Sequence, residues 1–186
     1  RYTDYDIDYA SLLMSYSYDG NTWSEPQNFF ETYDRVKEDM VSPAILYDKG
    51  TYKVWYVNAY KVKYRELKDN KWSKIRVCKL PYENDAYSWH IDLIKNKDKY
   101  EILTCATTDK NDRKHMNLYY AKSDDGLKFG TAKTVLRPTG YDADWDGNGL
   151  YRSTFMYSDG MYYVLYGGRN DAKNFGVGLL FGKDMY

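Results

Sequence analysis

The sequence repeats, and the repeat limits what the chain can fold into. Ser42 to Val57 reads as a strand, a tight turn at Asp48, Lys49 and Gly50, and a second strand. The pattern returns from His90 through a turn at Asn96, Lys97 and Asp98, and from Arg152 through Ser158, Asp159 and Gly160. In each copy the first residue stands ten positions before the tyrosine of the second strand: Ser42 and Tyr52, His90 and Tyr100, Arg152 and Tyr162. A fixed internal register of this kind marks a repeat protein. A second marker runs beside it. Ser17 to Trp23 and Ser123 to Phe129 each hold an Asp-Gly pair followed by an aromatic, with a worn copy from Leu67 to Trp72 and the start of another at Gly182 to Asp184. The marker aspartates, Asp19, Asp69, Asp125 and Asp184, are spaced by 50, 56 and 59 residues. Asp-Gly or Asp-Asn before an aromatic is hairpin chemistry, because the turn needs positive φ. Two hairpins, or four strands, in roughly 50 residues is one propeller blade.

The pattern therefore predicts an all-β chain, a β-propeller of four-stranded antiparallel blades. The expected pieces are a blade part over 1–30, a blade over 41–80, a blade over 89–136 and a blade part over 151–186. Strands are expected at 12–18 and 22–29 in the first piece. The second should hold 42–47, 51–59, 61–68 and 72–79, and the third 89–95, 99–107, 116–123 and 128–136. The last should hold 151–157, 161–169 and 175–182. Residues 1–10 read as a connector, and 30–41 as a crossing loop with room for one helical turn. The reading opens and closes on a third strand. A propeller normally closes its ring so that no edge is left open. The expectation is thus a single propeller domain of which this is a piece. The rest of the polypeptide, or neighbouring subunits, would complete the ring.

Formal net charge is zero and there is no basic run, which argues against a nucleic-acid partner, since such binding needs clustered Lys and Arg. No apolar run is long enough to span a membrane. Cys78 and Cys105 have no pairing spacing and read as two buried free thiols. The 23 tyrosines and five tryptophans suit strands, and flat rings also suit sugar faces. The segment from Thr108 to His115 is long and charged and reads as a solvated link. The segment from Arg137 to Leu150 packs Asp142, Asp144 and Asp146 around Trp145. Calcium is conceivable there because hard cations take carboxylate oxygens, but the loop has no closing Glu, and no cofactor is expected.

Propellers gather the starts of their innermost strands around the axis. Equal offsets bring Ser42, His90 and Arg152 to that ring, all polar where later positions are apolar. Asp92 shares a face with His90 by the two-residue period of a strand. Clustered polar groups at a concave centre suit a ligand site, with Trp89, Trp145 and Tyr151 as candidate rim rings and carbohydrate as the expected partner.

Ser42-Pro43 with Tyr52 to Tyr56, the Ser-x-Asp-Gly turns, Trp89 to Asp92 and Tyr151 to Ser153 resemble the five-bladed propeller glycoside hydrolases, the superfamily of arabinanases, xylosidases, levansucrases and invertases. The turns also resemble the Asp-box of the six-bladed sialidases. The resemblance covers nearly the whole chain. It implies glycoside hydrolysis of an extracellular or cell-surface polysaccharide, or the non-catalytic glycan binding of relatives on cell surfaces and virions. Hydrolysis usually needs two carboxylates flanking the scissile bond. The resemblance implies an Asp before Pro43 and a Glu at a later strand start; this chain has Ser42 and Trp89-His90 there. Asp92 is then the best-placed catalytic acid, with Glu38, Asp39, Asp142, Asp144 and Asp146 as further carboxylates.

Overall fold

The structure, a computed structural model, describes residues 8–186. The connector expected over 1–10 lies largely outside the described residues. The chain divides into two compact units at the Met40/Val41 boundary.

The first unit is a hairpin of β1 (Ala10–Met14) and β2 (Gln27–Thr32). Its strands are shorter than the sequence predicts because the turn around Asp19 is wide. Asp19 Oδ1 accepts from the backbone N–H of Asn21 and Thr22, each at 2.8 Å, and Ser17 Oγ accepts from that of Gly20 at 2.9 Å. These side chains meet backbone donors that a longer ladder would otherwise take. The helical turn allowed over 30–41 forms once, with Glu38 N–H donating to Asp34 O at 3.0 Å and Arg35 paired to Asp39.

The second unit holds three consecutive antiparallel sheets. The first is β3 (Val41–Asp48), β4 (Thr51–Asn58), β5 (Lys61–Lys68), β6 (Lys71–Trp72) and β7 (Arg76–Val77). The next is β8 (Tyr87–Asn96), β9 (Lys99–Thr107), β10 (Asn117–Ser123) and β11 (Lys133–Leu136). The last is β12 (Gly149–Ser158), β13 (Met161–Arg169) and β14 (Phe175–Gly182). Each sheet is an antiparallel meander, and its first strand lies beside the first strand of the next: β3 beside β8, and β8 beside β12. The chain is a β-propeller with these strands innermost. No α-helix occurs among the described residues, so no helix among them could cross a membrane.

Two predicted fourth strands are shorter than expected, for different reasons. Over 72–79 the ladder breaks because Ser73 takes it over. Its hydroxyl accepts from Glu66 N–H at 2.9 Å and its carbonyl from Arg65 Nε at 2.8 Å. Over 128–136 the first half pairs elsewhere, with Lys79 opposite Lys128 and Tyr82 opposite Ala132 in parallel. The segment leaving the first sheet thus covers the outer edge of the second, which removes an open edge.

The core lies between the sheets. Trp55, Tyr64, Ile91, Leu93, Ile102 and Tyr119 fill the first seam; Leu103, Leu118, Tyr120, Phe155, Tyr162 and Val164 fill the second. The middle strands β4 and β9 are bulky on both faces because each is covered on both. Both cysteines are buried free thiols, and burial holds each thiol up at about 12.

Candidate functional site

Each innermost strand begins with an irregularity. Ser42 and Pro43 lie opposite the single Tyr56 in β3, and one residue is unmatched between Ser88 and His90 in β8 and between Tyr151 and Ser153 in β12. A bulge re-aims the side chains at a strand start, and bulges are frequent next to functional sites. Ser42 (φ 49) and Arg152 (φ 40) occupy two of these bulges with left-handed backbone. The turn between β4 and β5, at the same end of its sheet, is Ala59 (φ 49) and Tyr60 (φ 62). None of these four residue types is one that favours positive φ, so each conformation costs free energy that the fold must offset.

The bulges bring the three strand starts together. Ser42 Oγ and His90 Nδ1 share a hydrogen bond at 2.5 Å across the β3–β8 boundary. The Tyr151 ring meets the His90 ring edge-on, centroids 4.6 Å apart, across the β8–β12 boundary. Arg152 lies over the Tyr151 ring at 5.8 Å. His90 is 4% exposed, and its Nε2 has no hydrogen-bond partner. Burial, and then the charge of Arg152, push its pKa from 6.5 down to about 4. The imidazole is therefore neutral at pH 7. Whichever nitrogen carries the proton, one buried polar atom remains unmatched.

Gly149 places β12 close enough for this. A Cβ there would stand 1.8 Å from the carbonyl oxygen of Lys114, and only its absence lets Leu150 N–H reach Met116 O at 3.0 Å.

The loop at 108–115 is more than a solvated link, and here reasoning from the sequence fell short. The Arg113 guanidinium lies over the Trp89 ring at 4.4 Å and over the Tyr60 ring at 5.7 Å, and its Nε donates to Tyr60 Oη at 3.1 Å. Lys110 lies over the Tyr87 ring at 4.5 Å, while Tyr60 Oη donates to the Lys110 carbonyl. Trp89 adjoins His90 at 5.8 Å. A chain of ring and cation contacts thus runs from Tyr87 through the buried His90 to Arg152. The sequence signal was the length of this one link, set at the strand-start end of its sheet.

Asp92 is placed differently from the sequence expectation. Its Oδ2 accepts from Thr154 Oγ1 at 2.6 Å and from Phe155 N–H at 3.0 Å, and its Oδ1 from Leu93 N–H at 2.9 Å. The carboxylate ties β8 to β12. These donors are all neutral, and Arg152 is not among them. Trp145 is not brought into that chain of contacts either. It stacks on Tyr166 at 5.6 Å and 25°, over Gly168 and Gly176. Cβ atoms at those glycines would stand 2.6 and 2.5 Å from the indole, so the glycines make its slot. In the same loop Asp146 accepts from Tyr166 Oη at 3.2 Å, while Asp142 and Asp144 offer backbone carbonyls to Asn170. The aspartates do not converge. Among the described residues no three His, Cys, Asp or Glu side chains form an arrangement that could hold a metal ion.

No protein-family model and no curated protein sequence matches the chain. Solved structures do match. An N-acetylgalactosamine deacetylase from F. plautii, in complex with blood group B trisaccharide, superposes with a TM-score of 0.71 at 21% identity over 85% of this chain and 53% of that one. An α-L-arabinofuranosidase from Lactobacillus brevis gives 0.63 at 11% identity over 84% and 55%. A family 117 glycoside hydrolase from Zobellia galactanivorans gives 0.61 at 13% over 96% and 60%. The chain spans little more than half the length of these structures. In fold, this chain is a β-propeller of the kind built by the propeller glycoside hydrolases.

Proposed function

We propose that this chain is part of a carbohydrate-active propeller that binds a glycan where the innermost strands begin. One observation carries the reading: three sheets deliver Ser42, His90 and Arg152 to one place, in contact with Trp89 and Tyr151. Aromatic faces pack on a pyranose ring, and a few fixed polar groups set its orientation. The positive φ values at Ser42, Tyr60 and Arg152 support the reading, since strained backbone clusters at functional sites. Polysaccharides are met mostly outside cells, so an extracellular, cell-surface or virion setting accompanies the proposal.

Glycoside hydrolysis is a second reading, favoured by the fold neighbours. It needs two carboxylates, roughly 5–10 Å apart across the scissile bond. Ser42 and His90 hold the positions where the resemblance implies acids, and they bond to each other. Asp92 spends Oδ2 on β12 and Oδ1 on the N–H of Leu93 in its own strand. Hydrolysis would therefore draw at least one acid from elsewhere in a longer protein.

The test is a glycan-binding and hydrolysis screen on the full-length protein, with Tyr151→Ala, Arg152→Ala and Asp92→Asn. Tyr151→Ala and Arg152→Ala should each weaken glycan binding by about 1–3 kcal/mol, without loss of melting temperature. Hydrolysis that vanishes in Asp92→Asn while binding persists would favour the second reading. If no variant changes any glycan response, the site lies elsewhere.

A further inference from the structure

Four cations lie along these contacts. Arg113 and Lys110 lie on the rings as described. Arg152 stands at the start of β12. Arg169, at the end of β13, donates to the backbone carbonyls of Arg113 and Lys114, both at 3.4 Å, and so fixes the loop that carries Arg113. None of the four has a carboxylate partner among the described residues. The acids nearest Lys110 and Arg113 in the sequence are turned inward on their own loop. Asp109 accepts from Asn111 N–H, and Asp112 from Lys114 N–H, His115 N–H and the His115 ring. The chain as a whole is neutral, so this positive concentration is local and offset elsewhere.

Unpaired surface cations are common and ordinarily solvated. These differ in being held. Arg113 has three contacts that fix its stem and ring plane, so little side-chain freedom remains to be lost on binding. With Nε taken by Tyr60 Oη, the two terminal nitrogens of Arg113 remain to meet the two oxygens of a carboxylate or sulfate. A second feature points the same way. The buried His90 beside Arg152 has an unpartnered Nε2 and no carboxylate compensating the positive charge next to it. An anion seated by Arg152 would supply what the protein withholds.

We infer that the ligand of this site is an acidic glycan, carrying carboxylate or sulfate groups, with an anionic group held by Arg113 or by Arg152 and a sugar face on the adjoining rings. The inference rests on the glycan-binding reading above and narrows its substrate class.

The experiment is isothermal titration of the full-length protein with oligosaccharides of matched length. The probes are oligogalacturonate for the carboxylate, a heparin-derived oligosaccharide for the sulfate, and oligogalactan as the neutral control, with a single-stranded oligonucleotide as a non-sugar polyanion. At about 50 mM salt one acidic sugar should bind at least about tenfold more tightly than oligogalactan, and the difference should shrink at about 500 mM as the charges are screened. Whichever acidic sugar wins identifies the anionic group. Arg113→Ala should lower its affinity about tenfold, and Arg113→Lys should restore only part of it, since the charge returns without the fork. Lys110→Glu, at an exposed position, should weaken the acidic sugar at an unchanged melting temperature, which separates charge from folding. Oligogalactan binding as well as either acid, with its affinity lost in Tyr151→Ala, would overturn the acidic class and leave the glycan reading standing. Stronger binding of the oligonucleotide would overturn the sugar assignment, and no binding of any sugar would overturn both.

Discussion

His90 sets a pH dependence that belongs to one residue. Its folded pKa of about 4 lies below its ordinary 6.5. Between those values the unfolded chain takes up a proton that the folded chain refuses, so the folded state loses stability as pH falls. The loss is about 1.4 kcal/mol per pH unit within that window, and the contribution is complete above it. Denaturant melts from pH 7.5 to 4.5 should show this slope in the wild type and a flatter one in His90→Asn. Equal slopes would mean that His90 is not held neutral. The residue scale is also where the sequence was least informative about the site. The repeat register named Ser42, His90 and Arg152, because equivalent strand starts meet in a propeller. It did not show that Asp92 would be taken by Thr154 and Phe155 N–H, or that Trp145 would find a slot over Gly168 and Gly176. Those outcomes depend on which backbone donors and which missing Cβ atoms lie opposite, and periodicity does not encode them.

Hairpins and turns carry the regularity at the scale of elements. Lys49-Gly50 and Asp159-Gly160 both adopt positive φ, as two-residue hairpins demand, and these turns were legible from Asp-Lys-Gly and Ser-Asp-Gly alone. The bulges at the strand starts were not legible. An extra residue in one strand changes neither composition nor alternation until the partner strand is known. Ser123 and Asp125 show a marker motif acting as structure. Asp125 Oδ1 accepts from Leu127 N–H at 2.8 Å and Lys128 N–H at 2.7 Å, and these bonds, led by the one from Lys128, hold its pKa below the ordinary carboxylate value. Gly126 (φ 71) passes so close to Trp55 that its carbonyl accepts from the indole N–H at 2.6 Å. The turn therefore ties two sheets. Asp125→Ala should lower the melting temperature while leaving glycan affinity unchanged, measured by calorimetry and titration on the same preparation. A selective loss of binding would place the turn in the site. The wild-type contribution is present above a pH of about 4 and fades as acid protonates the folded carboxylate.

The propeller brings strand starts from separate sheets into contact, which no single blade could do. The whole-molecule arrangement of the second unit followed from the ten-residue register, because four-stranded units that stack must put equivalent strands innermost. The outer face of the last sheet remains uncovered, with Phe175, Val177, Leu179 and Phe181 of β14 between 55% and 76% exposed. A face of this kind suits burial against a neighbouring blade. The proposed glycan sits where β3, β8 and β12 begin. The most direct measurement is a crystal structure of the full-length protein with an acidic oligosaccharide bound. It should place a sugar ring against Tyr151 or Trp89 and an anionic oxygen within hydrogen-bond reach, about 3 Å, of Arg113 or Arg152. An oligosaccharide seated at the Asp-Gly turns, or on the face of β14, with this surface empty, would contradict the claim.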